Sequence, residues 1–237
     1  EGSPTKDAVR EMIVSRMRAT GAKVQVLPFS VETPAGPWDL ENVFASFHPE
    51  AKDRVLIGAH WDTRLWAERD PDPARRDQPI TGANDGGSGV AVLIGLAEAL
   101  TKTPPPEGLG VDLVFFDGEE GFDGDLKEWL YGSRDLAGRW YRTGVEKPRA
   151  GLIVDMVGRK GLRIPREGIS DSRPGGRLLL DQIFGIAKEK GHGSFVDRPG
   201  PQVFDDHIPF LERGWVVVHL IDLADPNWHT HEDTLDK

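Results

Sequence analysis

Six short runs rich in β-branched and aromatic residues, at 24–28, 42–47, 55–59, 111–116, 152–156 and 215–221, limit what this chain can become more than any other feature. Helical patterns separate several of them. Val9, Met12, Ile13 and Met17 recur at helical spacing after Ser3 and Pro4 and stop at Gly21, and the stretch 176–190 is amphipathic and ends at Gly191. The run 88–100 is apolar nearly all round, which predicts a helix buried against the centre of a sheet rather than lying on the surface. Strands alternating with helices pair mostly in parallel, because each crossover carries a helix back over the sheet. The expected fold class is α/β, with a mixed, largely parallel β-sheet flanked by helices. In such sheets ligands bind beyond the carboxyl ends of the strands.

Composition narrows the chemistry. A chain of 237 residues is long enough to bury about three-quarters of its unfolded surface in one core. A single domain over 1–237 is therefore expected, since no repeat or Pro- or Ser-rich linker divides it. The chain has no cysteine, which removes thiol nucleophiles and cysteine zinc sites, so any metal must rest on His, Asp and Glu. A net charge of -10 argues against nucleic acid or an anionic membrane as partner. No stretch approaches the roughly 20 apolar residues of a membrane span. Segments 64–81, 118–125 and 191–205 read as loops from their Pro, Gly and charged residues.

The predicted strand ends carry the polar residues of interest. The strand at 55–59 runs into His60-Trp61-Asp62, which is either a site or a solvated turn. Asp85 sits in the glycine-rich turn Gly82-Ala83-Asn84-Asp85-Gly86-Gly87 before the apolar helix; the segment lacks the Lys-Ser/Thr of a phosphate loop, and a central Asp would repel phosphate. Glu119 and Glu120 follow the strand at 111–116. Adjacent acids at the mouth of a buried strand are costly unpaired; a metal would satisfy one while the other acts as a general base, and an exposed acidic turn is the alternative. Asp155 lies at the end of the fifth run. Asp205-Asp206-His207 opens a short predicted helix, where Asp206 is expected to serve as a cap. His219 lies inside an apolar strand, the usual setting of a hydrogen-bonded core histidine, and Trp228-His229-Thr230-His231 follows in a polar loop. Three carboxylates and two histidines at strand ends match the donors of a catalytic zinc site.

In this order, His60-Trp61-Asp62, Gly82-Ala83-Asn84-Asp85, Phe115-Phe116-Asp117-Gly118-Glu119-Glu120, Asp155 and His229-Thr230 resemble the M28 zinc peptidase superfamily. Leu130-Tyr131-Gly132-Ser133-Arg134, Asp205-Asp206-His207-Ile208-Pro209-Phe210-Leu211 and Trp228-His229-Thr230 are more similar to its glutaminyl cyclase branch. The resemblance implies a zinc-exopeptidase-like fold and a zinc-dependent glutaminyl-peptide cyclotransferase. Such an enzyme turns the N-terminal Gln of a peptide or protein into pyroglutamate and releases ammonia.

By the same implication Asp85, Glu120 and His229 bind one zinc, Glu119 shuttles protons, and Asp155 and Asp205 form an acidic network beside it. Trp228 walls the substrate pocket, with His219 assigned to substrate binding close behind it. The alternative within the resemblance is an M28-type aminopeptidase, in which His60 and Asp155 bind a second zinc and Asp85 bridges. Two departures stand out. The stretch Gly121-Phe122-Asp123-Gly124-Asp125 lacks a tryptophan that animal glutaminyl cyclases carry there, and Phe204 replaces a glutamine. Family habit, with Glu1 in place of an initiator Met, leads us to expect export to the periplasm or the extracellular space.

Overall fold

The computed structural model describes residues 4–33, 36–121 and 129–237. Its helices are α1 (Pro4–Ala19), α2 (Gly87–Lys102), α3 (Tyr131–Gly138), α4 (Gly168–Ser172), α5 (Pro174–Glu189) and α6 (Ile208–Glu212). The strands are β1 (Lys23–Thr33), β2 (Gly36–Phe47), β3 (Asp53–His60), β4 (Leu109–Phe116), β5 (Ala150–Asp155), β6 (Ile164–Arg166), β7 (Phe195–Pro199) and β8 (Val217–Ile221). Six strands form the central sheet in the order β1-β2-β4-β3-β5-β8. Strands β4, β3, β5 and β8 run parallel, while β1 and β2 add an antiparallel hairpin at one edge. The fold is therefore the mixed, largely parallel α/β sheet that the alternating pattern predicts.

Alternation along the strands separates two apolar layers. Leu113 and Phe115 of β4 face Ile13, Met17, Leu93, Leu180 and Phe184 from α1, α2 and α5. Val114 and Phe116 face the other way, onto Leu136, Phe210 and Leu211 from α3 and α6. Burial on both faces explains why β4 and β8 read as continuous apolar runs rather than alternating ones. Each fully buried Leu or Phe adds about 1.5–3 kcal/mol of stabilisation relative to exposure. Pro28 is tolerated in β1 because that strand is an edge, where a missing N–H costs no ladder bond.

The structure departs from sequence expectation in three places. Helix α2 buries only one face, through Ser88, Gly89, Leu93 and Ala97, and leaves Val92 at 43% exposure, so it is a surface helix rather than a buried one. Its apolar outer residues are mostly Ala, Gly and Val, whose small area costs little in water. Met12 is likewise turned outward, and Val14 completes the buried face of α1. Segment 191–205 is not all loop, because it contains β7, which pairs with β6 in a separate two-stranded sheet. Strands this short and half-exposed carry little apolar signal. Half of segment 118–125, residues 122–125, lies outside the described residues.

Parallel register brings the strand ends to one rim. His60 of β3 pairs with Phe116 of β4, and Asp155 of β5 pairs with Ile221 of β8. The residues directly after these ends therefore surround one depression.

Candidate active site

Asp85 lies between two histidines. His60 Nε2 is 3.3 Å from Asp85 Oδ1, and His229 Nε2 is 3.3 Å from Asp85 Oδ2 and 3.7 Å from Glu120 Oε2. His60 Nε2 also meets Asp155 Oδ1 at 3.1 Å. His60, Asp85 and Glu120 offer ligand atoms within 4.8 Å of one another, and so do Asp155, Asp205 and His219 immediately beside them. The glycine turn makes this approach possible: Gly86 has φ 84, and a Cβ there would lie 2.7 Å from the Asp62 carbonyl oxygen and 3.1 Å from His60 Cε1. A Cβ at Gly89 would meet the Val154 carbonyl oxygen at 2.7 Å, so the start of α2 can sit against β5 only without a side chain. His229 itself is held at φ 58, a left-handed conformation that a non-glycine residue adopts at a cost.

The donor set fits a divalent cation. Asp85 Oδ2, Glu120 Oε1 and His60 Nδ1 are buried with no hydrogen-bond partner, although oppositely charged atoms stand within ion-pair distance of some of them. Buried polar atoms are nearly always satisfied, so orphaned carboxylate oxygens on Asp85 and Glu120, both residues beside His229 Nε2, ask for a group that bonds them. Nitrogen and carboxylate oxygen donors suit zinc.

Burial, then the nearby Asp205, pushes the Glu119 carboxyl well above its ordinary range, and burial with Asp85 does the same to Glu120. Asp155 and Asp205 are also raised, chiefly by burial. Burial would raise Asp85 too, but His229 and His60 more than reverse that and hold it low. Burial lowers His229, yet Asp85 and Glu68 together lift it to about 9.

Several residues hold these groups in place, and of them only Asp62 stands out in the sequence. Glu68 receives His229 Nδ1 at 2.5 Å, and Arg64 donates to Glu68 Oε1 at 3.0 Å and to the Glu120 carbonyl at 2.7 Å. One arginine–glutamate pair therefore ties His229 to the Glu120 backbone and fixes which ring nitrogen of His229 faces Asp85. Asp62 accepts the backbone N–H groups of Glu119 and Glu120, each at 3.1 Å. Asp233 accepts those of Asn84 at 2.7 Å and Asp85 at 3.1 Å. Glu68 lies in a segment whose Pro and charge content mark only a loop, and nothing local distinguishes Asp233 from the other acids among 39.

The depression opens into a cavity of about 520 Å³ lined by Glu119, Trp129, Val203, Phe204, Ile221 and Trp228, among others. Trp228 packs on the His229 ring at 4.3 Å between centroids and carries the Arg69 guanidinium at 4.4 Å on its face. Trp129 stacks on Phe204, with centroids 6.2 Å apart and planes 14° from parallel. Phe204, one of the two departures from the animal pattern, thus packs on an aromatic partner of its own. The missing tryptophan position falls in 121–125, of which 122–125 lie outside the described residues, while Trp129 lines the cavity.

His219 is fully buried in β8, two residues inside Ile221, and does not line the cavity. There it stacks on His207 at 4.8 Å, with Nε2 3.5 Å from Asp205 Oδ2. One expectation is corrected: Asp206 does not cap α6, whose cap residue is His207 with no side-chain cap bond. Asp205 accepts the Asp206 N–H, and the Asp206 side chain is fully buried.

A sequence profile of peptidase family M28 matches residues 42–237. The glutaminyl-peptide cyclotransferase of Bos taurus is 30% identical over 98% of this chain and 71% of its own length. Among solved structures, a Porphyromonas gingivalis glutaminyl cyclase superposes with a TM-score of 0.92 at 33% identity, covering 99% of this chain and 84% of that one. A leucine aminopeptidase precursor from Bacteroides thetaiotaomicron gives the same TM-score at 30% identity, covering 99% and 83%. Among the described residues no helix is long and apolar enough to cross a membrane.

Proposed function

The chain belongs to peptidase family M28, in its glutaminyl-peptide cyclotransferase branch, and from that premise we propose that it converts the N-terminal glutamine of peptides to pyroglutamate with release of ammonia. Asp85, Glu120 and His229 would hold one zinc ion, which would supply Lewis-acid polarisation for the side-chain carboxamide. Everything else is done by the protein.

The aromatic walls formed by Trp228, Trp129 and Phe204 take the short glutamine side chain and exclude water from it. The nucleophile is the substrate's own α-amine, so catalysis is chiefly a matter of orientation: the amine must be turned onto the carboxamide carbon within one residue. Glu119 stands beside the ligands with its proton affinity raised by burial and Asp205. A carboxylate so placed takes a proton from the attacking amine and returns it to the departing ammonia. Asp155 and Asp205 keep that region acidic and proton-sharing. His60, hydrogen-bonded to Asp155, holds Asp155 and Asp85 in their places.

The observation that carries this reading is the buried Glu119 facing an aromatic-walled cavity, beside a cluster of buried donor atoms without hydrogen-bond partners. One observation favours a second reading. His60 Nε2 lies near both Asp85 and Asp155, the geometry from which a second zinc and a hydrolytic aminopeptidase would be built. In the cyclase reading, that same nitrogen bonds Asp155 instead.

Supplying the zinc-loaded protein with a glutamine-initiated peptide and with leucine amide separates the two. Ammonia and a cyclised peptide from the first, with no free leucine from the second, is the expected result. Release of free N-terminal amino acids instead would overturn the cyclase reading.

A further inference from the structure

A second cavity, of about 420 Å³, adjoins the first and is lined by Arg159, Arg163 and Arg198 together with Gly200, Asp222 and Leu223. The two share a wall. Leu223 lines both, and the chain passes directly from Gly200 and Pro201 in the second cavity to Gln202, Val203 and Phe204 in the first.

Three guanidinium groups around one cleft stand out in a chain of net charge -10. The one carboxylate among them is already engaged: Asp222 accepts Arg159 Nε at 2.6 Å, the Arg163 backbone N–H at 2.7 Å and the Ala224 N–H at 3.3 Å. Arg163 and Arg198 are exposed, and among the described residues neither side chain has an acidic partner. Arg166, in the same small sheet, shows the contrast, since Asp171, Asp181 and Asp197 all reach it. The fold thus neutralises the arginine within β6 and leaves open the two that line the cleft.

We propose that this cleft is a subsite for acidic side chains of the substrate peptide, downstream of its N-terminal glutamine. The inference rests on the cyclase reading, which seats the glutamine in the first cavity and sends the rest of the chain out over its wall. An extended peptide advances about 3.3 Å per residue, so side chains that follow the glutamine are carried over the shared Leu223 wall toward Arg163 and Arg198. Arginine suits the task, because its planar fork meets a carboxylate through two parallel hydrogen bonds. Both side chains lie at the solvent edge, so their contribution is moderate and salt-sensitive.

The test compares a glutamine-initiated pentapeptide amide carrying Glu at positions three and four with its alanine counterpart. For the wild-type protein KM for the acidic peptide is expected to be about fivefold lower, with kcat little changed, and the difference should shrink as salt is raised. The double variant R163E/R198E should turn over the alanine peptide as the wild type does and reverse the preference. An unchanged thermal midpoint checks that the variant is folded.

Binding of the already cyclised acidic peptide, followed by fluorescence anisotropy, gives a readout that needs no turnover. It should weaken in the double variant and compete only poorly with inorganic phosphate. Equal KM values for the two peptides, or binding abolished equally well by phosphate alone, would sink the subsite and leave the cyclase reading intact. Absence of turnover on both peptides, with acidic-peptide binding still dependent on the arginines, would sink the cyclase reading and keep an acidic-peptide cleft.

Discussion

Two clusters of buried charge lie at opposite ends of the same strands, and they are built on opposite principles. At the amino ends of β3 and β4, Arg54 is fully buried and every arm of its guanidinium is used: Nε and Nη2 meet Asp112 at 2.9 and 2.6 Å, Nη2 meets Ser46, and Nη1 meets the carbonyls of His48 and Ala51. At the carboxyl ends, Asp85, Glu120 and His60 are just as buried, yet each keeps an atom with no hydrogen-bond partner. Burying an ion costs several kcal/mol unless its bonds are replaced. The first cluster replaces them within the protein and is a brace. The second leaves atoms of neighbouring acids and a histidine open, which is how a site differs from a brace.

If that distinction is right, the two clusters answer mutation differently. Arg54→Met strands Asp112, whose carboxyl burial already pushes upward, and should cost about 3–5 kcal/mol in denaturant unfolding. A loss below 1 kcal/mol would mean the brace is not one. Glu119→Gln should leave the unfolding midpoint and zinc content unchanged while turnover of a glutamine-initiated peptide falls by about 10² to 10⁴; full activity would remove Glu119 from its role. Smaller again is Glu68→Gln, which frees His229 from its carboxylate and should weaken zinc binding about 10- to 100-fold in a chelator competition. Unaltered affinity would show that Arg64 and Glu68 do not orient the ligand.

The mildest contrast is in pH. Burial lowers His229, but its neighbours raise it to about 9 in the metal-free protein. A histidine with a raised folded value stabilises the fold fully below its unfolded value of about 6.5 and loses that contribution as pH rises through about 9. The buried carboxyls Glu119, Glu120 and Asp155 are shifted upward as well, so they push in the same direction. The metal-free protein should therefore melt at progressively lower temperature over that window, and zinc should flatten the slope by replacing the protons. A metal-free midpoint that rises with pH would contradict the assignment.

The sequence made the rim legible because a charge directly after a buried apolar run is conspicuous: His60, Glu119, Glu120 and Asp155 announce themselves by position. Asp85 was legible through its glycines. The supporting roles were not. Glu68 and Asp233 act through loops whose course depends on tertiary packing, and Asp62 is used for its carboxylate toward a neighbouring strand end rather than for anything nearby in sequence. Trp129 sits next to a recognised motif, but only the fold brings it to Phe204. His219 lies two residues deeper in its strand than the rim, a depth that only the register shows. Strands β6 and β7 escaped for want of length, and with them the arginine cleft.

Zinc content per chain tests the central claim most directly, measured by metal analysis after equilibrium dialysis of the wild type and of Asp85→Ala, Glu120→Ala and His229→Ala. One tightly held ion in the wild type, lost from each of the three variants, is the outcome this account requires. A wild type that retains no zinc after loading, or three variants that bind it as tightly as the parent, would contradict it.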